Sequence, residues 1–219
     1  MTTHFVHLLD ELRRRALRMA SLVEDMLQEA CDAVFSADES LANRVVVRDR
    51  DVDSEEVQVE AEVIRLLALY QPVGSDLRLL CTILKVNNDL ERVADCAVNI
   101  GERARHLPLH FDTPQLNELR RMADLARQIL RDAVQAYANE DPSAAARVVS
   151  ADDTVDALYG QFIRHLIDEA SAAPDGMAAH LDILSIAKNL ERIADHATNV
   201  AEDVIYLATG KIVRHQSST

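Results

Sequence analysis

Acidic side chains recur at a spacing of four residues along this sequence. Side chains four residues apart stack on one face of a helix, so each such pair places two carboxylates side by side. Two of the pairs belong to a motif E-R-[V/I]-A-D-x-A-x-N, and the other two read D-x-x-x-D. The residues of these motifs that could bind a cation are Asp49, Asp53, Glu91, Asp95, Asn99, Asp152, Asp156, Glu191, Asp195 and Asn199.

The chemistry that suits these side chains is binding of a hard cation. Like charges four residues apart destabilise a helix by roughly 0.2–0.5 kcal/mol per pair, and a bound cation removes that cost. Carboxylate and amide oxygens suit Mg²⁺, Ca²⁺, Mn²⁺ or iron, whereas the absence of Cys and His from the stripe argues against a structural zinc site. The spacing leaves a second interpretation open. The acids could form a solvated face without metal, paired with the nearby Arg48, Arg50, Arg92 and Arg192.

A catalytic role has less support from the residues. No Asp or Glu stands three residues before any of the eight histidines, so the E-x-x-H pattern of di-iron helix bundles is missing. The chain also lacks a P-loop, G-x-G-x-x-G and G-x-S-x-G, and it has only five glycines. We therefore predict a protein that is not an enzyme. A redox or hydrolytic metalloenzyme that uses the same carboxylates remains as an alternative.

Glycine and proline delimit the elements that must position these acids. The composition, 48% hydrophobic but only 4% aromatic, favours helices packed through aliphatic side chains. We expect Ser75 or Asp76 to cap the third helix. The predicted helices span about 4–36, 39–70, 75–106, 114–139, 142–171 and 177–209.

A repeat divides the chain into two similar halves. Residues 81–102 match 181–202 at ten of 22 positions, and the second and fifth helices align at an offset of 103. A three-helix unit therefore occurs twice. We predict an all-α fold of two tandem, similar three-helix bundles, residues 1–107 and 108–210, followed by a frayed polar tail at 211–219.

The acidic stripe is expected at the edge of each core. Glu91, Asp95 and Asn99 fall within roughly 80° of one another on the third helix, beside its apolar face. An antiparallel second helix would bring its D-x-x-x-D pair opposite this stripe, and the second copy would repeat the arrangement. Asn87 is a polar residue on the apolar face, and we expect it either to be buried with hydrogen bonds or to line the nearby site.

Charge and composition narrow the partners and the compartment. A net charge of −14 repels phosphate backbones and anionic lipid, so direct binding of nucleic acid or of a membrane surface is not expected. Three cysteines without a C-x-x-C motif are typical of reduced thiols. The N-terminal residues do not read as a signal peptide, and no apolar run is long enough to cross a membrane. We predict a cytoplasmic protein.

Three segments carry a resemblance to a known family. Residues 71–78, Q-P-V-G-S-D-L-R, are followed by 89–100, D-L-E-R-V-A-D-C-A-V-N-I, and a second signature stands at 190–200, L-E-R-I-A-D-H-A-T-N-V. Together they resemble the PhoU family, the phosphate transport system accessory regulators of bacteria and archaea. The resemblance covers about residues 5–209.

The resemblance implies a fold, a cofactor and partners. It implies two similar three-helix bundles with multinuclear metal sites at the acidic motifs, built from the ten residues given above, with Glu102 and Glu202 as weaker candidates. The cations expected are iron, manganese, magnesium or zinc. It further implies a negative regulator of phosphate uptake and starvation signalling that forms a homodimer. Such a regulator links the ATPase subunit of the phosphate ABC transporter to a phosphate-sensing histidine kinase, and it meets the membrane only through these partners.

Overall fold

The computed structural model describes residues 3–107, 114–172 and 177–213, and these residues form helices without any strand. The prediction of an all-α fold with six helices is confirmed. The third helix ends two residues earlier than expected, because the chain turns at Arg105. The helices are α1 (Thr3–Ser36), α2 (Glu39–Tyr70), α3 (Ser75–Ala104), α4 (Pro114–Asn139), α5 (Pro142–Ala172) and α6 (Met177–Thr209).

The turns that join the first two helices of each unit are built alike. Ala37 adopts a left-handed backbone conformation with φ of 53°, and the side chain of Asp38 caps α2 by accepting from the amide of Ser40. At the equivalent turn before α5, Glu140 has φ of 50° and Asp141 accepts from the first amides of the helix. Each side-chain cap satisfies amides that have no partner within the helix.

The expected cap of α3 is wrong. Ser75 is already the first helical residue, and the N-cap position is held by Gly74, which makes no side-chain hydrogen bond. Gly74 has φ of 63°, a conformation that glycine adopts without the steric penalty of a side chain. Gln71 ends α2 in the left-handed region, with its amide bonded to the carbonyl of Leu67.

Helices α1–α3 and α4–α6 each pack as a bundle, and the bundles meet mainly where α3 lies against α6, with α1 beside α4. The buried aliphatic residues of all six helices form one continuous core. An ion pair closes each end of the α3–α6 contact. Lys85 lies 2.9 Å from Asp203 at one end, and Arg103 lies 3.3 Å from Asp182 at the other. The contact therefore has an approximate two-fold relation that exchanges the two bundles.

One polar group at this contact breaks the symmetry. The buried carboxylate of Asp89 lies 2.9 Å from Nδ1 of His196 and accepts a hydrogen bond from Asn199 at 3.3 Å. The equivalent residue in α6, Asn189, donates instead to a carbonyl of its own helix. Within the described residues, a hydrogen bond of this kind between the bundles is therefore made by the second acidic motif and not by the first.

The predicted boundary between the units, at residues 107 and 108, falls at the edge of the described residues, which stop at 107 and resume at 114. Of the predicted tail, residues 214–219 also lie outside the described residues. None of the described helices has a stretch long and apolar enough to span a lipid bilayer.

Candidate metal centres

The acids of α5 and α6 converge on one point. Asp156 of α5 and Glu191 and Asp195 of α6 each offer a carboxylate oxygen, and these oxygens lie within 4.8 Å of one another. We call these three residues the second cluster. Carboxylates from two packed helices at this separation form a donor set that suits a hard cation.

Burial and repulsion between neighbouring carboxylates raise the pKa values of acids in and beside this cluster. Burial, followed by the charge of Glu191, raises the pKa of Asp195 to about 6. Burial and the charge of Asp156 raise the pKa of Asp152 as well. Lys188 offsets part of the charge through an ion pair of 2.6 Å with Glu191. The cluster still holds more negative charge than its surroundings neutralise.

Asp152, beside the second cluster, has a buried carboxylate oxygen that the surrounding groups of the described structure do not satisfy. Its Oδ1 atom is buried and has no hydrogen-bond partner of good geometry among the described residues, although the Thr198 hydroxyl lies nearby. A buried polar atom without a partner costs free energy. These residues therefore fit a bound cation.

The acids of α2 and α3 also lie opposite each other. Burial and the neighbouring Asp53, Asp95 and Glu102 raise the pKa of Asp49, in that order of effect. Burial, Asp95 and, more weakly, Asp53 raise the pKa of Glu91, against the charge of an arginine. In each bundle, the D-x-x-x-D pair of one helix thus lies against the acidic stripe of the next helix, as the antiparallel pairing expected from the sequence predicts.

We call Asp49, Asp53, Glu91 and Asp95 the first cluster, and it differs from the second cluster in its contacts with Arg92. The guanidinium of Arg92 lies 3.3 Å from Glu91 and 3.2 Å from Asp95, so one side chain contacts both acids of the motif and offsets part of their charge. Among the described residues, only the second cluster brings three such ligand atoms together. Arg192, at the equivalent position, forms no ion pair within the described part of the chain, and Arg48 pairs with Glu29. Pairing of the motif acids with the arginine of the same motif is therefore seen in the first copy, at Arg92, and not in the described residues of the second.

Comparison with known proteins agrees with the two bundles. The family model described as "PhoU domain" matches residues 16–104 and again residues 119–204, one match for each bundle. The chain belongs to the PhoU family. The resemblance seen in the sequence and the internal duplication are both confirmed.

Individual family members are similar over nearly the whole chain. A "Phosphate-specific transport system accessory protein PhoU homolog" of Pseudomonas putida is 38% identical over 208 residues, which is 94% of this chain and 81% of the relative. The crystal structure of PhoU from Pseudomonas aeruginosa superposes with a TM-score of 0.91 at 35% identity, covering 94% of this chain and 100% of the other. For the phosphate transport system regulatory protein PhoU from Streptococcus pneumoniae the TM-score is 0.87 at 28% identity, with 95% and 99% covered.

Within this PhoU-family chain, Glu56 is a site residue that the sequence pattern missed. It lies near Glu91, and its backbone carbonyl accepts a hydrogen bond of 3.0 Å from the buried Asn87. Asn87 is therefore both buried and next to the first cluster, and its carbonyl oxygen lacks a partner in the described structure. A search at a spacing of three as well as four would have included Glu56, because both spacings share a helix face. The second copy has Tyr159 and Ala187 at these positions.

The two asparagines of the PhoU motifs are placed differently. Asn99 is exposed, whereas the amide nitrogen of Asn199 is engaged with Asp89 across the contact between the bundles. Of the weaker candidates, Glu102 lies near Asp49, and Glu202 lines a pocket at the end of α6. The structure thus gathers the aspartates and glutamates of each motif more closely than its asparagines.

Proposed function

We propose that this protein is a metal-binding, non-enzymatic negative regulator of phosphate uptake and of phosphate-starvation signalling. It acts in the cytoplasm as an adaptor between the ATPase subunit of the phosphate ABC transporter and a sensor histidine kinase, as a homodimer. The observation that carries the phosphate role is the PhoU domain in each bundle, with relatives named as accessory proteins of phosphate-specific transport.

The metal part of the proposal is supported by the second cluster. Asp156, Glu191 and Asp195 would hold the cation. Asp152, whose charge acts on Asp195, adds a buried oxygen near the Thr198 hydroxyl that has no hydrogen bond of good geometry among the described residues. A cation of iron, manganese, magnesium or zinc would neutralise the carboxylates and fix α5 relative to α6. The first cluster, with Asp49, Asp53, Glu91 and Asp95, would take a cation only after Arg92 leaves.

A second candidate function is a helical protein-interaction adaptor that binds no metal. The two contacts of Arg92 favour it, because an arginine placed in this way can pair with both acids without a bound cation. Under this alternative the second cluster would stay partly protonated, with Lys188 as its counter-ion.

The regulatory role is tested in cells. Deleting the gene should switch on a phosphate-regulated promoter in high phosphate, and a plasmid copy of the wild-type gene should restore repression. A promoter that stays fully repressed after deletion would contradict the role. Pull-down with the transporter ATPase and the kinase then tests the two partners directly.

Elemental analysis separates the two candidate functions. Protein purified without chelator should contain metal, and the double variant Asp156→Asn, Asp195→Asn should lose it. Asp153→Asn is the matched control, because Asp153 is an exposed acid of α5 that is not part of the cluster. Metal near zero in the wild type, with a melting temperature unchanged by added metal, would favour the metal-free adaptor.

A further inference from the structure

The outer face of α2 carries a row of exposed apolar side chains. Val57 and Ile64 are 60% and 54% exposed, and Ala61 and Ala68 between and beyond them are also exposed. Steps of four, three and four residues place them in one line along the helix. We call these four residues the α2 stripe. Among the described elements, α2 contacts only α1 and α3, which pack on its other faces.

The second copy shows that the repeat does not need this stripe in order to fold. The equivalent positions of α5 are Gly160, Arg164, Ile167 and Ser171, so only the isoleucine is retained. Both helices nevertheless bury their inner faces in the same core. The row of apolar residues is therefore an added property of the first bundle, and apolar side chains grouped on an exposed helix face are suited to binding a partner.

The charge around the stripe selects the chemistry of the partner. The segment 53–68 contains five acids and one arginine. Asp53 and Glu60 are exposed along one edge and form no ion pair in the described structure, whereas Arg65 on the other edge is neutralised by Glu62 at 2.6 Å. A second copy docked stripe to stripe would place the same acids against each other, so this face favours a partner with basic residues.

We propose that the α2 stripe binds a cationic amphipathic helix of a partner protein. Apolar side chains of the incoming helix would lie against Val57 and Ile64, and the two alanines between and beyond them would allow close approach. Lysine or arginine beside that apolar face would meet Asp53 and Glu60. Recognition of a helix through anchors three and four residues apart is a common mode of protein–protein binding.

Fluorescence anisotropy with a labelled 14-residue helix of leucine and lysine tests the proposal. The full-length protein should bind this peptide and should not bind the matched peptide of leucine and glutamate. Ile64→Glu should weaken binding of the leucine–lysine peptide by about tenfold or more, since a buried isoleucine contributes roughly 1.5–3 kcal/mol. This variant adds negative charge, so nonspecific attraction would change the affinity in the opposite direction.

Ile167→Glu is the matched control, because Ile167 occupies the equivalent, equally exposed position of α5. It should bind the leucine–lysine peptide as the wild type does, and circular dichroism should show equal helix content in both variants. No binding by the wild type, or equal affinities for Ile64→Glu and Ile167→Glu, would overturn the proposal. A third result would also overturn it. Sedimentation would show that the wild type is a dimer that Ile64→Glu separates into monomers, while the affinity for the leucine–lysine peptide stays the same.

Discussion

Single cations distinguish the two acidic clusters at the residue scale. Arg92 contacts both acids of the first motif, whereas Lys188 contacts only Glu191 of the second and leaves Asp195 with a pKa of about 6. The same acidic motif therefore has a different counter-ion in each bundle. A ligand cation would compete with Arg92 for two acids in the first cluster and with Lys188 for one acid in the second.

Replacing Arg92 should therefore open the first cluster. We expect Arg92→Ala to raise the amount of metal bound per chain in equilibrium dialysis against Mn²⁺ and to tighten binding severalfold, because the acids lose their internal counter-ion. Arg192→Ala is the control, since Arg192 has no acidic partner in the described structure. If both variants bind as the wild type does, Arg92 does not compete with a cation.

Asp195 should make the metal-free protein less stable as the pH rises. Its pKa is raised in the folded state from an ordinary value of 3.8 to about 6, so the folded protein holds the extra proton between these values. This contribution is therefore present below about pH 4 and is lost as the pH rises through 6. In chelator, Asp195→Asn should raise the melting temperature at pH 7.5 by about 2–4 °C, which corresponds to about 1 kcal/mol after screening by solvent.

The same variant should have little effect at pH 4, where the wild-type carboxyl is already protonated. Thermal melts in chelator at both pH values check this difference. A melting temperature that falls at pH 7.5 would mean that the ionised carboxylate stabilises the metal-free fold.

The residues of the sites were predictable where helix periodicity alone decides. The spacing of four brought out the acids that the structure gathers, and the antiparallel partner helix followed from the turns. The contacts of Arg92 depend on which rotamer its long side chain adopts, and nothing in the spacing separates it from Arg192. Glu56 stands three residues after Asp53, so a search at a spacing of three would have included it, but its hydrogen bond with Asn87 is shown only by the packed structure.

At the scale of the elements, helix ends followed from short-range chemistry. Asp38 and Asp141 cap their helices as small acids commonly do. The bounds of the helices agree with the prediction to within one residue, except that α3 ends two residues early. The start of α3 at Ser75 agrees with the prediction, but its cap does not, because Gly74 occupies the N-cap position and makes no side-chain hydrogen bond. Glycine in a turn and glycine within a helix therefore call for opposite predictions.

Gly101→Ala should stabilise the protein. Gly101 lies inside α3, and a β-carbon there would meet its nearest neighbours in Ala42 at 3.5 Å, an ordinary van der Waals distance. Alanine favours the helix by about 0.5–1 kcal/mol over glycine. Urea unfolding should show this increase in the free energy of unfolding. Gly74→Ala should lower it by about 1–2 kcal/mol, because its φ of 63° and not a clash is the obstacle.

At the scale of the whole molecule, the two bundles share a core. Valine, isoleucine and alanine side chains of α3 and α6 are buried at their contact, and Asp89 reaches from one bundle to His196 and Asn199 of the other. The duplication predicted similar bundles, but it could not tell how they would be arranged. The arrangement depends on which apolar faces remain after each bundle has closed its own core.

The shared core should make the chain unfold as one unit. Differential scanning calorimetry should give a single transition whose calorimetric and van't Hoff enthalpies agree. Asp89→Ala should lower the melting temperature by a few degrees without splitting the transition, since it leaves His196 and Asn199 without their partner at a cost of about 1–3 kcal/mol. Two resolved transitions in the wild type would show that the bundles are independent.

The approximate two-fold relation between α3 and α6 has a consequence for the ancestry of the chain. A single three-helix unit would have left the outer face of its last helix uncovered, and pairing two identical units through that helix would have covered it on both. The packing of α3 against α6 is the arrangement that two identical units paired in this way would have. The two ion pairs are particular to the present sequence, because the position of Arg103 in α3 is Asp203 in α6. Asp89 and Asn189 likewise occupy equivalent positions and make different contacts.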